Sequence, residues 1–192
     1  MTFPIGRNTW ARPDTSSDEV ILVDEHDVAI GTASKLRAHE MGLRHRAISV
    51  VICDGRKRLL LQKRAAAKYH SGGLWSNTCC THPRSGEEPA DTATRRLGEE
   101  MGIVCPSTFL FKMQYRARVS DLLIEDEIVH VFGGVFDGSP CPDAHEVSEW
   151  SWSMPDVVAM DVAKRPQRYT IWFQMLCSKY WTQIEQWLET LP

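Results

Sequence analysis

The sequence predicts an α+β fold, a β-rich first part built around one central helix, with further helices at the C-terminus. Three observations predict it. Short β-type runs flank an Asp-Gly dipeptide at 54–55, a hairpin signal because that dipeptide supplies the positive φ of a tight turn. Pro89 and Gly102 bracket a stretch with apolar residues at helical spacing, proline early and glycine just past the end. From Pro155 onward the pattern is helical to the end of the chain. Strands gathered first and helices last is the order of an α+β domain.

Residues 1–17 hold Pro4, Pro13 and two arginines without the apolar run of a secretory signal, and are read as a flexible arm before a single domain at 18–192. Residues 20–23 and 28–32 make a first hairpin around 24–27. Residues 35–43 form a short helix or loop. The strands of the Asp54-Gly55 hairpin run over 47–53 and 58–62. A polar, glycine-bearing stretch at 68–73 leads into 74–83. In the helix at 89–101, Ala90, Ala93, Leu97 and Met101 are expected to face the core. Arg95 with Glu99, and Arg96 with Glu100, stand at the i,i+4 spacing of helical ion pairs. Strands follow at 109–119, 122–133 and 149–153, the last with Trp150 and Trp152 on one face. Helices are predicted over 155–163 and 169–191, the second carrying Ile171, Met175, Leu176, Ile184, Leu188 and Leu191.

Composition narrows the function classes. With 192 residues, 43% hydrophobic and 24% charged, the chain has enough material for a core of its own. A formal net charge of −3 argues against a general binder of nucleic acid or membrane surface, which relies on basic excess. No apolar run approaches the roughly 18 to 20 residues of a membrane span. The six cysteines do not space like a small secreted framework, so free thiols and a reducing, cytoplasmic home are expected.

Five groups of residues carry chemistry. Glu99 and Glu100 crowd the last turn of the central helix, where acidic residues oppose the helix dipole. Carboxylates one turn apart on a helix offer the hard oxygen ligands that Mg²⁺ shares with phosphates. The run Cys79, Cys80, Thr81, His82 reads alone as half of a zinc site or as core thiols, but no second ligand pair stands at finger spacing. Strand alternation turns Cys79 and Cys80 to opposite faces and sets Cys80 on the side of His82. Glu125 and Glu127 share one strand face, with Asp126 on the other. Two such carboxylates repel unless a cation or proton lies between them. His39 and His45 flank a short segment, while His26, His70, His130 and His145 are read as ordinary. Lys35, Arg64, Lys68 and Arg96 are cations that singly would be solvated.

These motifs resemble a known family. Glu87, Arg95, Leu97, Glu99, Glu100, Gly102 and Ile103 match in register the Nudix box, with Thr81 at the place of its first Gly and Arg96 at that of a metal-binding Glu. Arg96 there removes a ligand and adds a phosphate-gripping guanidinium, disfavouring hydrolysis while favouring diphosphate binding. Asn77, Cys80, His82 and Pro83, with Glu125 and Glu127, resemble the motifs of the type I isopentenyl diphosphate isomerases, a resemblance covering residues 20 to about 175. It implies a Nudix-like mixed sheet and conversion of isopentenyl to dimethylallyl diphosphate through a tertiary carbocation, in isoprenoid biosynthesis. Cys80 and Glu127 would be the catalytic pair. His39, His45, His82, Glu125 and Glu127 would hold one Zn²⁺, Mn²⁺ or Fe²⁺. Glu100 would reach a Mg²⁺ on the diphosphate, gripped by Lys35, Arg64, Lys68 and Arg96. Tyr115 and Trp172 would complete the substrate site, Trp172 with a π face. The expected partner is a small isoprenoid diphosphate, with no nucleic acid or membrane, on a monomer or weak homodimer. A Nudix-type diphosphate hydrolase and a non-catalytic metal-binding module are the competing readings.

Overall fold

Two hairpins with the same turn chemistry open the fold. The structure, a computed structural model, describes residues 18–68 and 70–192, so the expected N-terminal arm lies outside the described residues. Strand β1 (Glu19–Val23) pairs antiparallel with β2 (Ala29–Ser34), and β3 (Arg44–Cys53) meets β4 (Leu59–Arg64). In the first turn the Asp24 carboxylate accepts from the backbone N–H groups of His26 and Val28, both at 2.9 Å. In the second, Asp54 accepts from those of Arg56 and Arg58 at 3.0 and 2.8 Å. The left-handed residue is the last of each loop, Asp27 (φ 66°) and Lys57 (φ 61°). The positive φ expected at Gly55 therefore sits at Lys57, because the Asp54 side chain closes a type I-like turn whose exit is left-handed. Gly55 serves a close approach instead: its N–H donates to Asp137 at 2.6 Å, and a Cβ there would stand 3.1 Å from that carboxylate.

The sheet is mixed. Strand β8 (Ile124–Val135) runs parallel to β3, from Arg44 opposite Asp126 to Cys53 opposite Val135. On its far side lies antiparallel β7 (Ser107–Arg118), while the short β6 (Cys79–Thr81) pairs antiparallel with Ile48–Val50 of β3. Strands β5 (Trp75–Ser76) and β9 (Val147–Ser153) extend β4.

The period of two along β3 divides the core. Ile48, Val50 and Ile52 face helix α2 (Pro89–Met101) and pack with its Ala93, Leu97 and Met101. Ala47, Val51 and Cys53 face the other way, onto the C-terminal helices, with Val129 and Val131 of β8. The caps of α2 follow the sequence: Pro89 starts the helix and Gly102 ends it at φ 64°. Ala90, expected in the core, is exposed in the first turn, and Thr92 is buried instead.

The C-terminal layer departs from the single helix expected over 169–191. After α3 (Pro155–Lys164) and a 3₁₀ turn at Pro166–Arg168 come two helices, α4 (Ile171–Lys179) and α5 (Trp181–Thr190). The break is at Tyr180 (φ −126°, ψ 9°). Its ring stacks on Phe111 with 5.9 Å between centroids, and its hydroxyl accepts from the Gln114 N–H at 3.3 Å. Tertiary anchoring to β7 thus overrides the helical periodicity, which continues on either side. All six cysteines are free. No helix among the described residues is long and apolar enough to cross a membrane.

Candidate active site

The face of the sheet that carries the C-terminal core becomes polar at one end. There β3 places His45 directly opposite Glu127 of β8, and alternation adds Glu125 two residues back on the same face. Helix α1 (Lys35–Met41), capped by the Ser34 hydroxyl and by left-handed Gly42, delivers His39. His82 follows β6. His39 and His45 are fully buried, and their Nε2 atoms lie 3.3 Å apart. His45 Nε2 is also 3.2 Å from His82 Nε2 and 3.3 Å from Glu127 Oε1, and His82 Nε2 is 3.1 Å from the same oxygen.

Tautomers follow from the partners. His45 Nδ1 is 2.8 Å from the Leu43 carbonyl, which can only accept, so Nδ1 carries the proton and Nε2 of the neutral ring is a bare lone pair. A lone pair facing a carboxylate oxygen and two more imidazole nitrogens has the wrong partners unless a proton or a cation lies among them. Three nitrogens and a carboxylate in this arrangement fit a divalent metal of the Zn²⁺, Mn²⁺ or Fe²⁺ kind. Burial pulls His39 down to about 2 and His82 down to about 4, so both rings are neutral and able to ligate.

The two carboxylates are driven apart. Burial would raise Glu127, but the imidazoles of His45 and His82 beside it outweigh that and hold the group well below the usual carboxylate range. Burial and the Glu127 charge push Glu125 up to about 8. The Tyr115 hydroxyl is 2.8 Å from an oxygen of each. One hydroxyl proton serves one carboxylate at a time, so the pair has room for one further proton or a cation.

Cys80, paired with Ser49 in the β3–β6 ladder, lines the same cavity as Glu125 and Glu127, whereas Cys79 is buried against α2. The Asn77 amide fixes the thiol. Its Nδ2 donates toward Ser49 Oγ and the carbonyls of Val50 and Cys79 at 2.9 to 3.1 Å. Oδ1 is then left to accept from Cys80 Sγ at 3.1 Å and from the Ser76 hydroxyl at 3.1 Å. Ser76 in turn accepts from Trp172 Nε1 at 2.8 Å, so Trp172 of α4 and Cys80 are tied through two side chains. Burial raises the Cys80 thiol to about 12, and at neutral pH it keeps its proton.

The cavity these groups line, about 450 Å³ counting its open mouth, also takes in Lys35, Arg64 and His70. Arg64 stands 5.2 Å from the centroid of the Trp172 ring, and its buried Nε has no hydrogen-bond partner among the described residues. The other diphosphate ligands expected are elsewhere. Arg96 donates to Glu99 at 2.8 Å and to Glu100 at 2.5 Å, and Glu100 also accepts from Gln62 at 3.1 Å. Lys68 pairs with Glu146, which lies 3.5 Å from Arg96. Arg96 lines a separate basin together with Lys35, His82 and Arg84. Arg96, Lys68 and Glu100 are thus not presented to the first cavity: an ion-pair cluster beside Cys79 holds them. Glu146 and Ser76 had no signal in the sequence. His70, read as ordinary, is buried beside Glu125, and only its place in a glycine-bearing loop hinted at a close approach.

Comparison with known proteins accords with this geometry. Residues 43–173 match the model of the NUDIX domain family. The chain is 52% identical over 155 residues to isopentenyl-diphosphate delta-isomerase 2 of Aromatoleum aromaticum, covering 81% of this chain and 82% of that one. It is 48% identical to isopentenyl-diphosphate delta-isomerase of Burkholderia multivorans over 84% of this chain and 92% of the other. Among solved structures, DR0079 from Deinococcus radiodurans is similar at a TM-score of 0.70 and 14% identity, covering 83% of this chain and 97% of that one. The MutT protein from Methanosarcina mazei is similar at 0.61 and 14%, covering 74% and 96%. The two structural likenesses speak to fold alone.

Proposed function

The chain belongs to the isopentenyl-diphosphate delta-isomerases of the NUDIX domain family, and from that premise we propose that it interconverts isopentenyl and dimethylallyl diphosphate with Cys80 and Glu127 as its proton-transfer groups. The reaction adds a proton to the terminal alkene carbon and takes one from the carbon beside the diphosphate-bearing one. An unactivated alkene is a poor base, so one acid and one base must flank a flat chain with water kept out. The observation that carries this reading is a single cavity lined by the Cys80 thiol and by the Glu127 carboxylate of the metal-fitting cluster.

A divalent cation bound by His39, His45, His82 and Glu127, with Glu125 beside them, would orient the Glu127 carboxylate and set its proton affinity. Trp172, fixed through its Nε1, offers a π face worth ~2 kcal/mol to a desolvated carbocation. Lys35 and Arg64 on the cavity wall suit the diphosphate, and the unpartnered Arg64 Nε supports this. For Lys68, Arg96 and a Mg²⁺ at Glu100 to join them, the Arg96–Glu100 and Lys68–Glu146 pairs must open on substrate binding. The setting proposed is a reducing cytoplasm, where Cys80 stays a thiol.

Incubating the purified chain with isopentenyl diphosphate and Mg²⁺ tests the reading. Dimethylallyl diphosphate should form with no release of phosphate or pyrophosphate. Release of either without the isomer would assign the fold to hydrolysis instead.

A further inference from the structure

His70 belongs to no apolar cluster, yet its side chain is 5% exposed. The loop that carries it is closed at its base by Arg64 N–H donating to the Leu74 carbonyl at 2.9 Å and Gly73 N–H to that of Arg64 at 3.0 Å. Gly72 packs so tightly that a Cβ would lie 2.6 Å from the Ala66 carbonyl oxygen, and Ser71 is held in the left-handed region at φ 52°. Arg64 also donates to the His70 carbonyl at 3.4 Å. These constraints turn the imidazole inward, away from water.

What it meets there is the metal-fitting cluster. His70 Nε2 lies 3.5 Å from Glu125 Oε1, and its ring is 5.6 Å from that of His39. Ligand atoms of His39, His70 and Glu125 fall within 4.8 Å of one another, while Glu125 stands outside the His39, His45, His82 and Glu127 group at that distance. The ring also meets Trp172 edge-on, 5.9 Å between centroids at 88°. Its Nδ1 is 3.2 Å from the Ser71 hydroxyl. One tautomer suits both ends: the Ser71 O–H donates to Nδ1, which leaves the ring proton on Nε2, 3.5 Å from Glu125 Oε1.

We propose that His70 is a positioning residue of the metal site, holding Glu125 by one oxygen so that its carboxylate is turned to the ion carried by the other histidines. Ligating carboxylates are commonly oriented by such a partner, and its loss weakens metal binding roughly 10- to 100-fold. The inference rests on the proposed metal site, and the experiment separates the two. Co²⁺ is titrated into metal-free wild type, H70A and H70Q, reading affinity and the visible absorption of the bound ion. Wild type should bind Co²⁺, H70A should bind about 10-fold or more weakly with a shifted spectrum, and H70Q, whose amide can still donate to Glu125, should recover most of both. Unchanged thermal midpoints of the metal-free variants keep a folding defect from imitating the effect. H70A with wild-type affinity and spectrum overturns this inference alone. Equal loss in H70A and H70Q, with a spectrum poorer in nitrogen ligands, also overturns it, by making His70 a direct ligand. A wild-type chain that takes up no Co²⁺ overturns the metal site and this inference together.

Discussion

Two buried polar clusters lie on either side of the Cys79–Cys80 pair, and they are built on opposite principles. Behind Cys79, Arg96 and Lys68 alternate with Glu99, Glu100 and Glu146, so every charge has an opposite neighbour. In front of Cys80, three imidazoles and two carboxylates face one another. The first cluster finds its counter-charges within the chain itself. The second needs a proton or a metal. Adjacent residues on one short strand therefore serve different ends: Cys79 fills the core against α2, and Cys80 points into a cavity built for chemistry.

The comparison can be broken most severely at the thiols. Cys80→Ala should lower turnover by about three orders of magnitude or more, the range expected for a lost proton-transfer group. Cys79→Ala should retain most turnover and lose roughly 1 kcal/mol of stability for the missing core atom. Equal kinetic loss in both would erase the distinction between the two faces. Chelation comes next: removing metal should abolish turnover while leaving the Arg96 cluster and the fold intact, and adding back Mn²⁺ should restore it. A fully active, demonstrably metal-free chain would contradict the reading of the second cluster.

Arg96→Gln probes the ion-paired side. It leaves Glu100 and Glu146 buried without that guanidinium, and denaturant melts should show a loss of about 3–5 kcal/mol. A near-neutral melt would show the cluster to be solvated. Among the ion pairs the smaller effect is expected at Glu87. Burial would raise it, but the Arg95 guanidinium, at 2.6 and 2.8 Å, draws it down to about 2. A depressed carboxyl contributes stability that is complete above its ordinary value near 4.5 and lost as pH falls toward 2. Glu87→Gln should cost about 1.5–3 kcal/mol at neutral pH and flatten the acid limb of the stability curve, read from thermal midpoints between those pH values.

Much of this was legible in the residues. The helix at 89–101 was bounded by Pro89 and Gly102, whose backbone preferences are local and strong, and the structure has the same limits. The separation of Cys79 from Cys80, and of Glu125 and Glu127 from Asp126, followed from the period of two, which needs no tertiary information. What stayed hidden depends on packing across the fold. Tyr180 breaks the last helix because it docks on β7, more than sixty residues away in sequence. Arg96 was expected to face a phosphate, and the sequence held no sign that Glu146, from the loop before β9, would join Glu100 in occupying it. His70 resembled any loop histidine until the Gly72 contact turned it onto Glu125.

The central claim is proton transfer at the hydrocarbon end of an intact diphosphate, and turnover in D₂O tests it most directly. Dimethylallyl diphosphate formed there should carry deuterium in the new methyl group, with the diphosphate unbroken, and Cys80→Ala should form neither product nor label. Product without solvent deuterium would point to transfer within the substrate, and would contradict the roles given to Cys80 and Glu127.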